Sequence, residues 1–267
     1  MSMKALPAIT SKQQEILRLI YQYRFINRVQ IQAFLGHKDY RRVNAWLADL
    51  RDKQYVQWIY STDFSEKTKP AVYHISLNGI RYLKSPGLYP LSELRKRYKE
   101  NKRSSGFVAH SVLVADVCLD LRAKSDESVR YTWQAQADFA SSASEYHFLS
   151  QHAVIQPDLC FTKQENETTN AYLLEVFDAT LPRYMVSNTL KKYGAFLKDR
   201  DWQRDTKTKA PPTILFVCPA TTDLIYAKRR TRKLLETIYD KSGIRIKFAI
   251  LEELKQSGVT EEIWEEA

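Results

Sequence analysis

Residues 156–180 read "QPDLCFTKQENETTNAYLLEVFDAT". Two hydrophobic runs flank the polar stretch "KQENETTN", the pattern of two strands joined by a reversal. Pro157 and Asp158 stand at the edge of the first run and Glu175 lies inside the second, with sixteen residues between the two carboxylates. That is enough for a strand, a turn and a return strand, so the two acids can arrive side by side. Two oxygen ligands on adjacent strands can hold Mg²⁺, which polarises a phosphate and activates water. Such chemistry also wants a lysine two residues after the glutamate, to orient the water and offset developing charge. That position is Phe177. Lys191 or Lys192, in the next helical stretch, could supply the cation instead. Asp178 is a further acid, which strict alternation points away from the face of Glu175. Two readings follow. In one, Asp158 and Glu175 are Mg²⁺ ligands and act with Lys191 in catalysis; in the other, both acids cap turns or pair with surface cations and no cofactor is bound.

Outward from this stretch, "FVAHSVLVADVCLDLRAK" has helical spacing and "VRYTWQAQADF" reads as a strand. After the central pair come a helix in "VSNTLKKYGAFLKD", a strand in "PTILFVC", a helix in "DLIYAKRRTRKLLETIYD" and a strand in "IRIKFAILEE". The order helix, three strands, helix, strand, helix, strand resembles the restriction-endonuclease-like α/β fold. The motif of that fold, proline-aspartate followed by glutamate-x-lysine, is matched by Pro157, Asp158 and Glu175 and broken by Phe177, so the domain at 107–267 is expected to be degenerate. His110 reads as a packed histidine, and His147 and His152 sit in a Ser-rich stretch without a third ligand at metal spacing. Lys228, Arg229, Arg230, Arg232 and Lys233 form a basic helix face, either solvated or a second phosphate contact.

The first 85 residues have a different texture. Thr10 can cap a helix carrying Ile16, Leu17, Leu19 and Ile20, and Asn27 and Gly36 bracket a second. The third helix, "KDYRRVNAWLADLRDK", puts Val43, Trp46, Leu47 and Leu50 on one face; Lys38, Arg41, Ala45 and Ala48 fall opposite, flanked by Arg42 and Asn44. Two aromatic-rich alternating runs follow, around a turn with Lys67, Lys69 and Pro70, and then a short helix in "SLNGIRYL". Three helices then a hairpin is the order of an α+β winged helix-turn-helix, a double-stranded-DNA binder whose third helix enters the major groove and whose wing cations meet phosphate. Tyr55, Trp58, Tyr60 and Tyr73 read as hairpin core. Residues 86–106, with Pro and Gly at one end and Ser-Ser-Gly at the other, read as a basic linker, either an arm along the phosphate backbone through Arg95, Arg97, Lys102 and Arg103 or a solvated connector.

Charge agrees with this division. Residues 1–106 hold 20 Lys and Arg against 8 Asp and Glu, net +12, whereas residues 107–267 hold 21 against 23, net −2. A polyanion is therefore expected to dock on the N-terminal part. Cys118, Cys160 and Cys218 are odd in number and far apart, which fits buried thiols of a cytoplasmic protein rather than a disulfide framework. The segment "MSMKALPAIT" lacks the apolar core of a signal peptide, and no run approaches the roughly 18 apolar residues of a membrane span.

The helix-turn-helix pattern, the linker and the segments "FVAHSVLVADVCLDL", "PDLCF", "LLEVFDAT" and "LKKYGAFL" together resemble the replication-relaxation family, whose members are encoded mainly on bacterial plasmids and integrative elements. Its members usually carry an acidic-x-Asp pattern followed by small residues and Thr; Asp178 and Thr180 match its end, while Val176 holds the acidic position and Glu175 is displaced by one. The resemblance implies DNA binding in plasmid replication or conjugative mobilisation, as an accessory that positions a relaxase or replication initiator at an origin. Open alternatives are a Mg²⁺-dependent endonuclease or nickase and a winged-helix transcriptional regulator, and a homodimer is compatible with each.

Overall fold

The computed structural model describes residues 5–60, 68–84, 89–141, 143–147, 149, 155–203, 210–259 and 261–267. The chain divides into two compact units, Met1–Leu119 and Asp120–Ala267.

In the first unit, α1 (Ser11–Tyr23) starts in a capping box between Thr10 and Gln13. A two-residue strand, β1 (Ile26–Asn27), leads into α2 (Arg28–Leu35), which Asn27 caps and Gly36 ends in the left-handed conformation at φ 59°. Then follow α3 (Tyr40–Asp52), capped by Asp39, the hairpin strands β2 (Val56–Ile59) and β3 (Val72–Ile75), and α4 (Leu77–Lys84). The strands form an antiparallel sheet in the order β1-β3-β2. Ile16, Leu17, Ile20, Ile31, Val43, Leu47, Leu50 and Tyr55 fill the core between helices and hairpin. Close approach of α4 to the hairpin requires Gly79, where a Cβ would stand 2.4 Å from the Tyr55 carbonyl oxygen. The hairpin reverses one expectation: Tyr55 and Tyr73 are buried, but Trp58 and Tyr60 are exposed, stacked on each other at 5.7 Å, with the Arg51 guanidinium 4.1 Å from the Trp58 ring.

The described part of the expected linker is folded. It forms α5 (Leu91–Lys96) and a 3-10 turn at Arg97–Lys102, and α6 (Ser105–Ala123) follows. Glu100, 1% exposed, receives Arg24 through two nitrogens at 2.8 and 3.0 Å, with Arg97 at 3.6 Å and Arg103 at 3.5 Å. This ionic cluster fastens the stretch to the end of α1. The division between units falls inside α6 rather than at 106, and Gln30 of α2 donates to Val112 O and Asp116 Oδ1 of that helix.

The second unit is a six-stranded mixed sheet in the order β4-β5-β6-β7-β8-β9. The strands β4 (Val129–Ala135), β5 (Leu159–Glu165) and β6 (Thr168–Val176) are an antiparallel meander. From β6 the sheet runs parallel through β7 (Thr213–Cys218) and β8 (Ile246–Ile250), which parallel pairing permits only with crossover connections. These are α7 (Arg183–Lys198) and α8 (Thr221–Glu236). A short helix, α9 (Leu251–Ser257), and the edge strand β9 (Glu265–Glu266), antiparallel to β8, close the unit. Val186, Leu190, Tyr193, Leu224 and Ala227 of the two crossover helices pack on Leu173, Phe177, Ile214, Phe216 and Phe248 of one sheet face. The predicted helix and strand order is present, with α9 and β9 added.

Candidate functional site

The β5–β6 register pairs Leu159 with Leu174, which brings Asp158, one residue before β5, beside Glu175. Asp158 N donates to Leu174 O at 2.9 Å, and Asp158 Oδ2 accepts from Val176 N at 2.8 Å. The expected juxtaposition of the two acids therefore exists at the end of the strand pair. Glu175 alternates with Leu173 and Phe177, so it faces the crossover helices, where the Tyr193 hydroxyl donates to Glu175 Oε2 at 2.9 Å. Burial, then the neighbouring Asp158, pushes the Glu175 carboxyl well above the usual carboxylate range; the Tyr193 hydrogen bond and the charge of Lys192 act the other way. The Tyr193 phenol is itself pushed up, first by burial and then by Glu175.

Phe177, in the position of the lysine, is 3% exposed and lies flat against Phe216 at 5.3 Å and 7°. It belongs to the core, so a cation there would be buried in an aromatic stack. Lys191 and Lys192 are both exposed on α7, and it is Lys192 whose charge acts on Glu175. Asp178 caps a turn instead, its Oδ1 accepting from Thr180 N and Oγ1 at 2.7 Å each. Among the described residues no three His, Cys, Asp or Glu side chains are grouped to hold a metal. Divalent Mg²⁺ demands charged oxygens in near-octahedral array. Glu175 Oε2 is engaged by Tyr193 and Asp158 Oδ2 by Val176 N, so each acid of this pair already has one oxygen committed to the protein.

The other predicted residues lie in the first unit. Lys38, Arg41, Arg42 and Asn44 are exposed around the start of α3, while Val43, Leu47 and Leu50 bury its opposite face. Tyr40, half exposed, lies 5.9 Å from the guanidinium carbons of both Arg28 and Arg41. Arg28 belongs to this surface but precedes the helix that spacing singled out. Lys69 is exposed; Lys67 and His152 lie outside the described residues. Arg95 and Lys102 are exposed, and Arg103 is turned toward Glu100 and the Phe107 ring. Arg97 is not a surface contact. It is 2% exposed, donates to Tyr21 O, and burial lowers its pKa to about 10. His147 Nδ1 donates to Phe139 O at 3.0 Å, a structural bond. All three cysteines are free and buried. Among the described residues no helix is long and apolar enough to cross a membrane.

Among known proteins, the model of the replication-relaxation family matches residues 17–210. The chain belongs to the replication-relaxation family. No curated protein matches it. Two solved structures are similar to this family member: restriction endonuclease FokI bound to DNA, at a TM-score of 0.34 and 12% identity, covering 94% of this chain and 46% of that one, and restriction endonuclease FokI, at 0.31 and 11%, covering 94% and 45%. The family member thus spans less than half the length of those chains, and at that overlap they contribute no argument about its fold or chemistry.

Proposed function

We propose that this protein is a DNA-binding accessory factor for the replication or mobilisation of a plasmid or integrative element, and that it does not hydrolyse DNA. The observation that carries the reading is the exposed cluster of Lys38, Arg41, Arg42 and Asn44 around the start of α3, a helix whose other face is sealed into the core. The element order α1, α2, α3, then the β2–β3 hairpin, is that of a winged helix-turn-helix, in which the third helix enters the major groove. Arg41 and Arg42 suit guanine edges and Asn44 suits adenine, while Lys38 and Lys69 supply phosphate contacts. Family membership supports a part in replication or mobilisation, with a relaxase or replication initiator as the protein partner. The second unit keeps a restriction-endonuclease-like strand order around Asp158 and a Glu175 bonded by Tyr193, with Phe177 in the place of a lysine, and serves as a platform.

The test is supercoiled plasmid bearing the native origin, incubated with Mg²⁺, Mn²⁺ or EDTA, with a parallel mobility-shift titration. A retarded but intact plasmid is expected, and Arg41→Ala with Arg42→Ala should weaken binding by roughly 1–3 kcal/mol per lost base contact. Unchanged affinity in that variant removes the assignment of α3. Neighbouring Asp158 and Glu175 favour one rival, a metal-dependent nuclease; metal-dependent nicking that disappears in Asp158→Ala would establish it.

A further inference from the structure

The second unit looks electrically neutral as a whole: residues 120–267 hold 21 Lys and Arg against 22 Asp and Glu. Its charges are nevertheless sorted. The crossover helices α7 and α8 carry nine of those cations and only two of the acids, leaving 12 cations against 20 acids in the rest of the unit. Both helices cover the same sheet face, so one layer is strongly positive while the remainder is negative.

Within that layer the side chains are arranged as well as numerous. The ring of Tyr226 on α8 has the guanidinium carbons of Arg183, from α7, and Arg230, from α8, each 5.4 Å from its centroid, and its hydroxyl donates to Arg183 O at 3.3 Å. The buried residues Leu224, Ala227 and Thr231 fix the inward face of α8, which turns Arg229 and Lys233 directly outward beside Arg230. Lys228 is spent on Glu265 at 2.9 Å, but Arg183, Arg229, Arg230 and Lys233 are exposed. A guanidinium held against a ring keeps its N–H edge available, and its planar fork matches a phosphodiester.

We infer that the α7–α8 layer, through Arg183, Arg229, Arg230 and Lys233 around Tyr226, is a second contact for the DNA phosphate backbone, independent of α3. The inference rests on the reading that DNA is the ligand. It extends that reading to a unit whose overall charge conceals the surface. Duplex DNA is the favoured occupant because a long uniform polyanion satisfies this layer and the strongly basic first unit alike. The contact adds affinity without reading sequence.

The experiment is fluorescence anisotropy of labelled duplex DNA with the full chain across a KCl series. Each phosphate neutralised contributes about 0.9 to the slope of log K against log salt. Combined Arg229→Ala, Arg230→Ala and Lys233→Ala should lower that slope by about 2–3 while leaving preference among sequences unchanged. A matched control, Lys124→Ala, Lys241→Ala and Lys255→Ala, removes the same charge from exposed positions elsewhere in the unit and should leave the slope intact. Equal losses in both triples would mean that net charge alone is at work and would overturn the inference. An unchanged slope in the α8 triple, with a loss in the Arg41 and Arg42 variant, sinks the second contact and leaves α3 standing. No effect from either variant sinks both. If the α8 triple loses binding to polyglutamate but not to DNA, the layer is a site for an acidic protein and the inference fails.

Discussion

Glu100 in the first unit is a buried carboxyl and Glu175 in the second a partly buried one, and their surroundings differ completely. Glu100 is ringed by three guanidiniums, with Arg24 bidentate. Glu175 meets another acid, a phenol and an aromatic core. A buried charge is tolerated where opposite charge and hydrogen bonds compensate its lost hydration; otherwise the group shifts toward its neutral form. One acid is therefore a structural pin. The other is a partly buried acid set between a second acid and a phenol at the margin of the core.

Giving Glu175 the cation that Glu100 has is the most disruptive way to challenge this contrast. Phe177→Lys restores the expected motif but removes a ring stacked on Phe216. The lost packing costs about 3–5 kcal/mol, and burial of an ammonium adds to it. Urea unfolding measures the loss, and plasmid nicking should remain absent. A stable variant that nicks DNA with Mg²⁺ would show that the site lacked only its lysine.

The converse change removes the charge that the first unit depends on. Glu100→Gln leaves Arg97, 1% exposed in its side chain, and Arg24 without their shared counter-ion. Breaking one side of a buried pair costs about 3–5 kcal/mol, read as a lowered midpoint in guanidinium unfolding. A loss below about 1 kcal/mol would place the cluster with ordinary surface pairs.

The smallest effect concerns Glu175 itself. Its raised pKa means that the folded state holds the proton more tightly than the unfolded one. Stability therefore falls as pH rises above the ordinary carboxylate range, and levels off once the folded-state value is passed. Glu175→Gln, which keeps an oxygen for Tyr193, should raise Tm at pH 8 by roughly 2–4 °C, the size of ~1 kcal/mol in a chain of this length, and do little at pH 4. A lower Tm at pH 8 would mean that ionised Glu175 is held by Lys192 after all.

The strand pair, both crossover helices and the three-helix head were legible because their apolar periodicities follow directly from burial, and Asp158 and Glu175 came together as their spacing implied. Four features were not legible, each because a linear reading averages over space. Arg97 lies in a run of cations and gives no sign that it turns inward. Trp58 and Tyr60 alternate in step with the buried Val56 like core residues, yet both are exposed. Tyr193 stood in plain view in "LKKYGAFL", on the apolar face with Leu190 and Leu197, but its partner is a glutamate eighteen residues earlier. The sorted charges of the second unit vanish in a net of −2 for residues 107–267.

The seam between the units also bears on how such proteins exchange parts. Most modular chains recombine in loops, where a junction leaves both halves intact. Here the seam lies within α6, and the head claims the front of that helix through Gln30, which is buried and bonded to Val112 and Asp116. A crossover at Gly106 would leave the Gln30 Nε2 without its acceptors, while Oε1 keeps its bond from Asn27 N, at a cost of about 1–3 kcal/mol, unless the incoming body brought a helix with matching acceptors. A head of this kind travels intact only with the first turns of α6 attached, so exchange among relatives is expected to respect the helix rather than the basic stretch before it.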